Sequence, residues 1–308
     1  MPFPRYKSEF KFLVRLIIPG IFILLVFGVA SGQDDDVVKI DSSVVILNAS
    51  VSDGSGLHVP GLTQKQFRVF EDGEEQEISF FAAEQTPFAA VILLDVSGSM
   101  EERITLARAA AIQFLDGLRR DDVAAIYSFD SKVSLIQPFS NSRDVTEKIF
   151  DLKSKGMTVL NDSIFVAAGE LSNRPEKRRA IIVLSDGEDT LSKRSDEKAL
   201  KAALSANASI YTIDMSSVSM PVAKRAKSQG ALRKFAEKTG GTFVKTPGGA
   251  AMREAFRQIA GTLGLQYTIG YQPASSKRDG KWHDLELRIS KPGLTIRTRK
   301  GYNAEPAK

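Results

Sequence analysis

The chain has no cysteine, two histidines and one tryptophan among its 308 residues. Without cysteine there is no disulfide, no thiolate metal site and no lipid-anchor cysteine. The two histidines, His58 and His283, fall in segments that read as β, so none stands in the middle of the chain to act as a general base. There is no G-x-S-x-G elbow and no Walker loop. Nor is there a strong excess of charge. Arg5, Lys7, Lys11 and Arg15 against Glu9 account for +3 of the formal +5, and the remaining +2 gives nucleic-acid binding little support. What is present is the composition of a globular protein, 43% hydrophobic and 26% charged, long enough for one large domain plus a smaller one.

The N-terminus reads as an export signal at residues 1–32. Basic residues precede the apolar run from Leu16 to Ala30, and Ala30, Ser31 and Gly32 supply small residues for cleavage. The run is short for a spanning helix, and Pro19 and Gly20 weaken it further; an uncleaved membrane anchor is the rival reading. Either way the body of the protein is expected outside the cytoplasmic membrane, periplasmic, extracellular or anchored facing outward.

Residues 37–87 read as an all-β head. Val44 to Val51 is a strand. Phe67 and Val69, then Ile78 and Phe80, alternate with polar residues around "EDGEE", a hairpin signal. Residues 88–264 alternate strand and helix, which implies a parallel sheet with helices on both faces. Short helices are expected at Val145 to Leu152 and at Asn161 to Leu171, the latter capped by Asn161 or Asp162. A long loop is expected at Met215 to Gly230, followed by a helix from Ala231 to Lys238. Residues 265–303 return to β. Head and tail are each too small for a stable sandwich alone. The expected fold is therefore α/β: a doubly wound, mostly parallel sheet inserted in a small β-sandwich that head and tail build together.

The most informative stretch is "VILLDVSGSM", Val91 to Met100. Its apolar run suits a strand buried on both faces. It ends in Asp95, Ser97, Gly98 and Ser99, at the edge where open α/β sheets bind ligands. "KGMTVLND" offers Thr158, and "VLSDGED" offers Asp186 just after a second buried strand. These donors are all oxygen, so the preferred guest is a hard cation such as Mg²⁺ or Mn²⁺. Taken singly, Ser97, Gly98 and Ser99 suit a mere strand-to-helix turn, and Thr158 a cap.

Together the three segments resemble the von Willebrand factor A domain with its metal-ion-dependent adhesion site, over about residues 88–264. "LTQKQFRVFEDGEEQEI" and "RTRKGY" further resemble a secreted bacterial subgroup, the VWFA-related acidobacterial-domain proteins. The resemblance implies that Ser97, Ser99 and Thr158 ligate the ion through hydroxyls, with Asp95 and Asp186 acting partly through bridging waters. It implies a sixth ligand, an Asp or Glu carboxylate from a partner protein, and hence an adhesion or scaffolding module. The alternative is an accessory subunit of an envelope complex with a purely structural metal. A metal-dependent phosphotransferase would need a second carboxylate two residues after Asp95, where Ser97 stands, so no enzymatic activity is expected. Asp130 and Asp189 read as solvated loop residues, both histidines as surface residues, and Lys177-Arg178-Arg179 as a solvated run. Lys224, Arg225 and Lys227 are candidates to flank the metal and select an acidic partner. By the same family resemblance, movement of the last helix, near Met252 to Leu263, is a route for regulating affinity.

Overall fold

The computed structural model describes residues 44–83, 86–245, 249–274 and 279–304. The expected export segment lies outside these residues. Among the described residues no helix is long and apolar enough to cross a membrane.

In chain order, the head contributes β1 (Val45–Ser52), β2 (Phe67–Glu71), β3 (Glu74–Gln76) and β4 (Ile78–Ala82). Then come β5 (Phe88–Asp95), α1 (Ile104–Asp116), β6 (Val123–Phe129), β7 (Val133–Ser140), α2 (Leu160–Ser172), β8 (Arg178–Ser185) and α3 (Asp196–Ser205). β9 (Ala208–Asp214), α4 (Val222–Thr239), β10 (Phe243–Lys245) and α5 (Ala250–Gly264) complete the middle of the chain. The tail adds β11 (Tyr267–Tyr271), β12 (Trp282–Ile289), β13 (Thr295–Arg297) and β14 (Gly301–Asn303).

The central sheet runs β10-β9-β8-β5-β6-β7, with every neighbouring pair parallel except the edge pair β6–β7. All eight residues of β5 are buried, as its apolar run requires. Their alternation divides them between two cores. Ala90, Ile92 and Leu94 join Phe114 of α1 and Phe256 of α5 on one face. Ala89, Val91 and Leu93 join Ile164 of α2, Ala203 of α3 and Phe235 of α4 on the other. Truncating Ile92 or Leu93 to alanine is expected to cost about 3 kcal/mol, the lost transfer energy plus the cavity left behind.

Head and tail strands interleave in two four-stranded sheets, β13-β1-β11-β4 and β14-β12-β2-β3. Leu47, Ala49, Val69, Ile269 and Leu287 fill the space between them. The α/β architecture and the sandwich are thus those expected from the sequence, with local departures. The Asp72-Gly73 turn does form, both residues having positive φ, but it joins β2 to β3. Ile78 and Phe80 lie instead in β4, which pairs with β11 in the other sheet. Only a 3-10 turn at Glu147–Ile149 forms in the segment expected to be a helix. There the Gln137 side chain of β7 accepts from the Thr146 amide and donates to the Asp144 carbonyl, taking up local backbone groups. The expected loop from Met215 to Gly230 is shorter, because α4 begins at Val222 behind Pro221 and runs through Gly230.

Two supposedly exposed groups are interior. Arg178 is 0% exposed and caps the end of α5 by donating to the carbonyls of Leu263, Gly264 and Gln266. His283 is buried between Asp72 and Asp279, with Nδ1 2.7 Å and Nε2 3.0 Å from their carboxylates. Sequence pattern marks both as polar, and only the tertiary pairing makes their burial affordable.

Candidate functional site

Three loops leave the C-terminal edge of the central sheet and bind one another. The first follows β5 and carries Asp95, Ser97 and Ser99. The second precedes α2 and carries Thr158. The third follows β8 and carries Asp186. The Lys155 amide donates to the Val96 carbonyl at 2.8 Å, and the Gly98 amide to the Gly156 carbonyl at 3.2 Å. The Ser154 hydroxyl donates to the Ser97 carbonyl. These bonds join the first loop to the second. The Thr158 amide donates to the Thr190 hydroxyl at 2.9 Å, and the amides of Thr190 and Leu191 both donate to the Thr158 carbonyl, joining second to third. The Ser185 hydroxyl closes the ring by donating to Asp95 Oδ2 at 2.6 Å. The five residues singled out in the sequence, Asp95, Ser97, Ser99, Thr158 and Asp186, therefore belong to one hydrogen-bonded cup.

Two glycines with positive φ let neighbouring segments lie close against these loops. Gly156 has φ +79°, and a Cβ there would meet Ser131 Oγ at 2.8 Å. Gly187 has φ +81°, and a Cβ would strike the Ser228 carbonyl of α4 at 2.6 Å. The third loop thus lies tightly on α4, which a side chain at Gly187 would push away.

The electrostatics are unusual for a protein interior. Asp95 and Asp186 are 0% and 1% exposed. Asp95 accepts from the Ser97 amide at 2.9 Å and from Ser185, with no cationic side chain bonded to it. Burial pushes its carboxyl up to about 7, although the Ser185 and Ser97 bonds oppose the rise. Burial likewise raises Asp186, while the Ser99 hydroxyl and the Glu188 amide pull it back. Asp186 Oδ1 accepts from the Glu188 amide, but the buried Oδ2 has no hydrogen-bond partner. Ser97 Oγ and Ser99 Oγ lie 3.2 Å apart, with Ser99 exposed at the mouth. Two buried carboxylates, one with an unused oxygen, beside the Ser97 and Ser99 hydroxyls and the bonded loop of buried Thr158, form a donor set that fits a hard divalent cation. Such an ion would favour the charged form of both carboxylates and reverse the cost of burying them. Among the described residues no group of three or more His, Cys, Asp or Glu gathers as a metal cluster.

The other candidates divide. Lys224, in the first turn of α4, pairs with Glu188 at 2.5 Å and so stands two residues from Asp186. Arg225 turns away and donates to the carbonyls of Val218 and Met220, fixing the loop ahead of α4. Lys227 is exposed. Asp162 does not cap α2, which begins at Leu160. Its carboxylate instead accepts from the amides of Lys193 and Arg194 and from the Arg194 guanidinium. Asp189 supplies the missing cap from the third loop, accepting from the Asn161 amide at 2.8 Å. Sequence reasoning did not assign these bracing roles of Ser185, Asp189 and Thr190. The run "LSDGEDT" gives their residue types but not their partners.

Comparison with known proteins agrees with this architecture. Residues 90–188 match the family model of the von Willebrand factor type A domain. The vWF domain of the type V pili tip protein Mfa5 from Porphyromonas gingivalis superposes with a TM-score of 0.51 at 16% identity, covering 60% of this chain and 98% of that one. A von Willebrand factor type A structure from Catenulispora acidiphila gives 0.49 at 15% identity, covering 87% of this chain and 75% of that one. The conserved hypothetical protein BatB from Bacteroides thetaiotaomicron gives 0.47 at 17% identity, covering 57% of this chain and 98% of that one. No curated protein matches the chain. The α/β domain therefore has the fold of a von Willebrand factor type A domain.

Proposed function

We propose that this protein is an extracytoplasmic, metal-dependent protein-binding module, serving adhesion or scaffolding. A Mg²⁺- or Mn²⁺-type ion would be held by Ser97, Ser99 and Thr158 with Asp95 and Asp186 beside it. The ion would supply a Lewis-acidic bridge to an Asp or Glu carboxylate of the partner. The observation that carries the reading is the pair of buried carboxylates with no basic partner at their oxygens, on two loops that are bonded to the loop of Thr158. A pair built for stability alone would be matched with Arg or Lys or replaced by apolar residues.

Neutral hydroxyl ligands leave the cation short of negative charge, which favours an anionic ligand from outside. Ser97 stands where a phosphotransferase would need its general acid, so the reading stays with binding rather than catalysis. The N-terminal basic and apolar segment supports an outward location, and so does the pilus-tip origin of one structural neighbour. Lys227 would favour an acidic partner, whereas the charge of Lys224 is offset by Glu188. A pull-down from the native envelope fraction in Mg²⁺, repeated with EDTA and with Asp95→Ala, tests the reading. Partners that appear only with metal and only with Asp95 support it. A purely structural metal would instead leave capture unchanged when peptides ending in Glu or Asp are added in excess.

A further inference from the structure

The rim of the cup is apolar on two sides. Beside Thr158 stand Met157 and Leu191, 49% and 45% exposed, on the second and third loops. Beyond Asp186 stand Val218 and Val222, 84% and 80% exposed, ahead of and at the start of α4. Large apolar side chains this open to water are ordinary when scattered singly, but here four fall as two pairs on the segments that border one polar cup.

Bonds to neighbouring segments hold each loop of the rim in place. The Met157 amide donates to Ser131 Oγ at 3.1 Å, and the Leu191 amide to the Thr158 carbonyl at 3.0 Å. Arg225 holds the Val218 and Met220 carbonyls at 2.6 and 2.7 Å. The Ser216 hydroxyl reaches the Asp186 carbonyl, and Lys224 pairs with Glu188, which ties this side of the rim to the third loop. An apolar surface fixed in this way spares much of the ordering cost of binding.

The unpaired charges beside the patch are mostly basic, although the third loop also exposes Asp189. Lys155, Lys193 and Lys227 lie on the same three segments, are exposed and form no ion pair among the described residues. Glu101 and Glu102, exposed on the turn after Ser99, carry the opposite sign. An acidic chain would therefore be steered toward the side of the cup formed by the second and third loops.

We infer that the partner is a protein segment in which one Asp or Glu is flanked on both sides by apolar side chains. Its carboxylate would enter the cup, one flank would cover Met157 and Leu191, and the other would cover Val218 and Val222. This inference rests on the metal-bridged reading above and adds the sequence class that the site selects.

The test is selection of a random peptide display library on the full chain in Mg²⁺, with elution by EDTA. The expected clones carry an acid with an aliphatic or aromatic residue within three positions on each side. Val218→Ser with Val222→Ser, both exposed and thus without consequence for folding, is expected to weaken the winning peptide at least tenfold with metal affinity unchanged. EDTA-eluted clones with an acid but polar flanks, bound equally by the double variant, would overturn this inference and leave the metal bridge standing. Clones without an acid, or clones that EDTA does not release, would overturn the metal bridge and the inference with it.

Discussion

The two ends of the central sheet bury carboxylates in opposite ways. Near the start of β6, Asp122 is 1% exposed and fully engaged. It accepts from the Arg119 guanidinium at 2.8 Å through both oxygens, and from the amides of Arg119 and Phe88. Arg119 and Arg178 then reach the last carbonyls of α5, so this end joins the helix to the strands that lead into the sandwich. At the other end Asp95 and Asp186 are equally buried, but only hydroxyls and amides bond to them and one oxygen has no partner. A buried charge matched with arginine is a structural joint. A buried charge matched only with neutral donors is the arrangement on which the proposed cation site rests.

The largest expected effect that would sharpen this contrast is on pH dependence. Asp95 is raised to about 7 from an unfolded value near 3.8, so the folded chain binds more protons between those values. Without divalent metal, stability should fall as pH rises through that window, by up to about 1.4 kcal/mol per unit. Mg²⁺ should flatten the profile, and Asp95→Asn should reduce the slope to what Asp186 and His283 contribute. Denaturant titrations from pH 4 to 8 with and without metal would read it, and a flat metal-free profile would break the contrast.

Next in size is Asp122→Ala. It strands Arg119 and two buried amides and should cost about 3 kcal/mol of stability with metal affinity unchanged. Gly187→Ala should cost about 2 kcal/mol from its positive φ and its clash with α4. Unlike Asp122→Ala, it should also weaken metal binding, because the third loop must move.

The smallest effect concerns His283, a second charge-matched site. Its carboxylate partners Asp72 and Asp279 raise it above the usual histidine value of 6.5, against the opposing effect of burial. Its contribution is therefore complete below the unfolded value and is lost as pH rises through the higher folded one. His283→Asn should cost about 1.5 kcal/mol at pH 6 and less at pH 9, as chemical denaturation would measure.

The contrast also explains what could be read in advance. The β5 run, the loops that carry Asp95, Thr158 and Asp186, and the pairing of head with tail follow from local pattern: apolar continuity, strand-to-helix order, and two β segments each too small to stand alone. The charge-matched end did not. Arg178 sits in a basic run that looks solvated, and its partners are carbonyls more than 80 residues away. His283 pairs with Asp72 across 211 residues of chain. No periodicity reports such pairs. The start of α4 was hidden by Gly230 and by the serines before Pro221, although a proline just ahead of a helix is itself a start signal. The structural bracing of the cup by Ser185, Asp189 and Thr190 was unreadable for the same reason as Arg178.

Calorimetric titration of Mg²⁺, and of Mn²⁺ in parallel, into the chain and into its Thr158→Ala and Asp186→Ala variants addresses the cup most directly. The expected result is one ion per chain, with affinity reduced at least tenfold in either variant and thermal stability otherwise retained. Equal binding by both variants, or no binding by the unaltered chain, would contradict the assignment of these loops to a divalent cation.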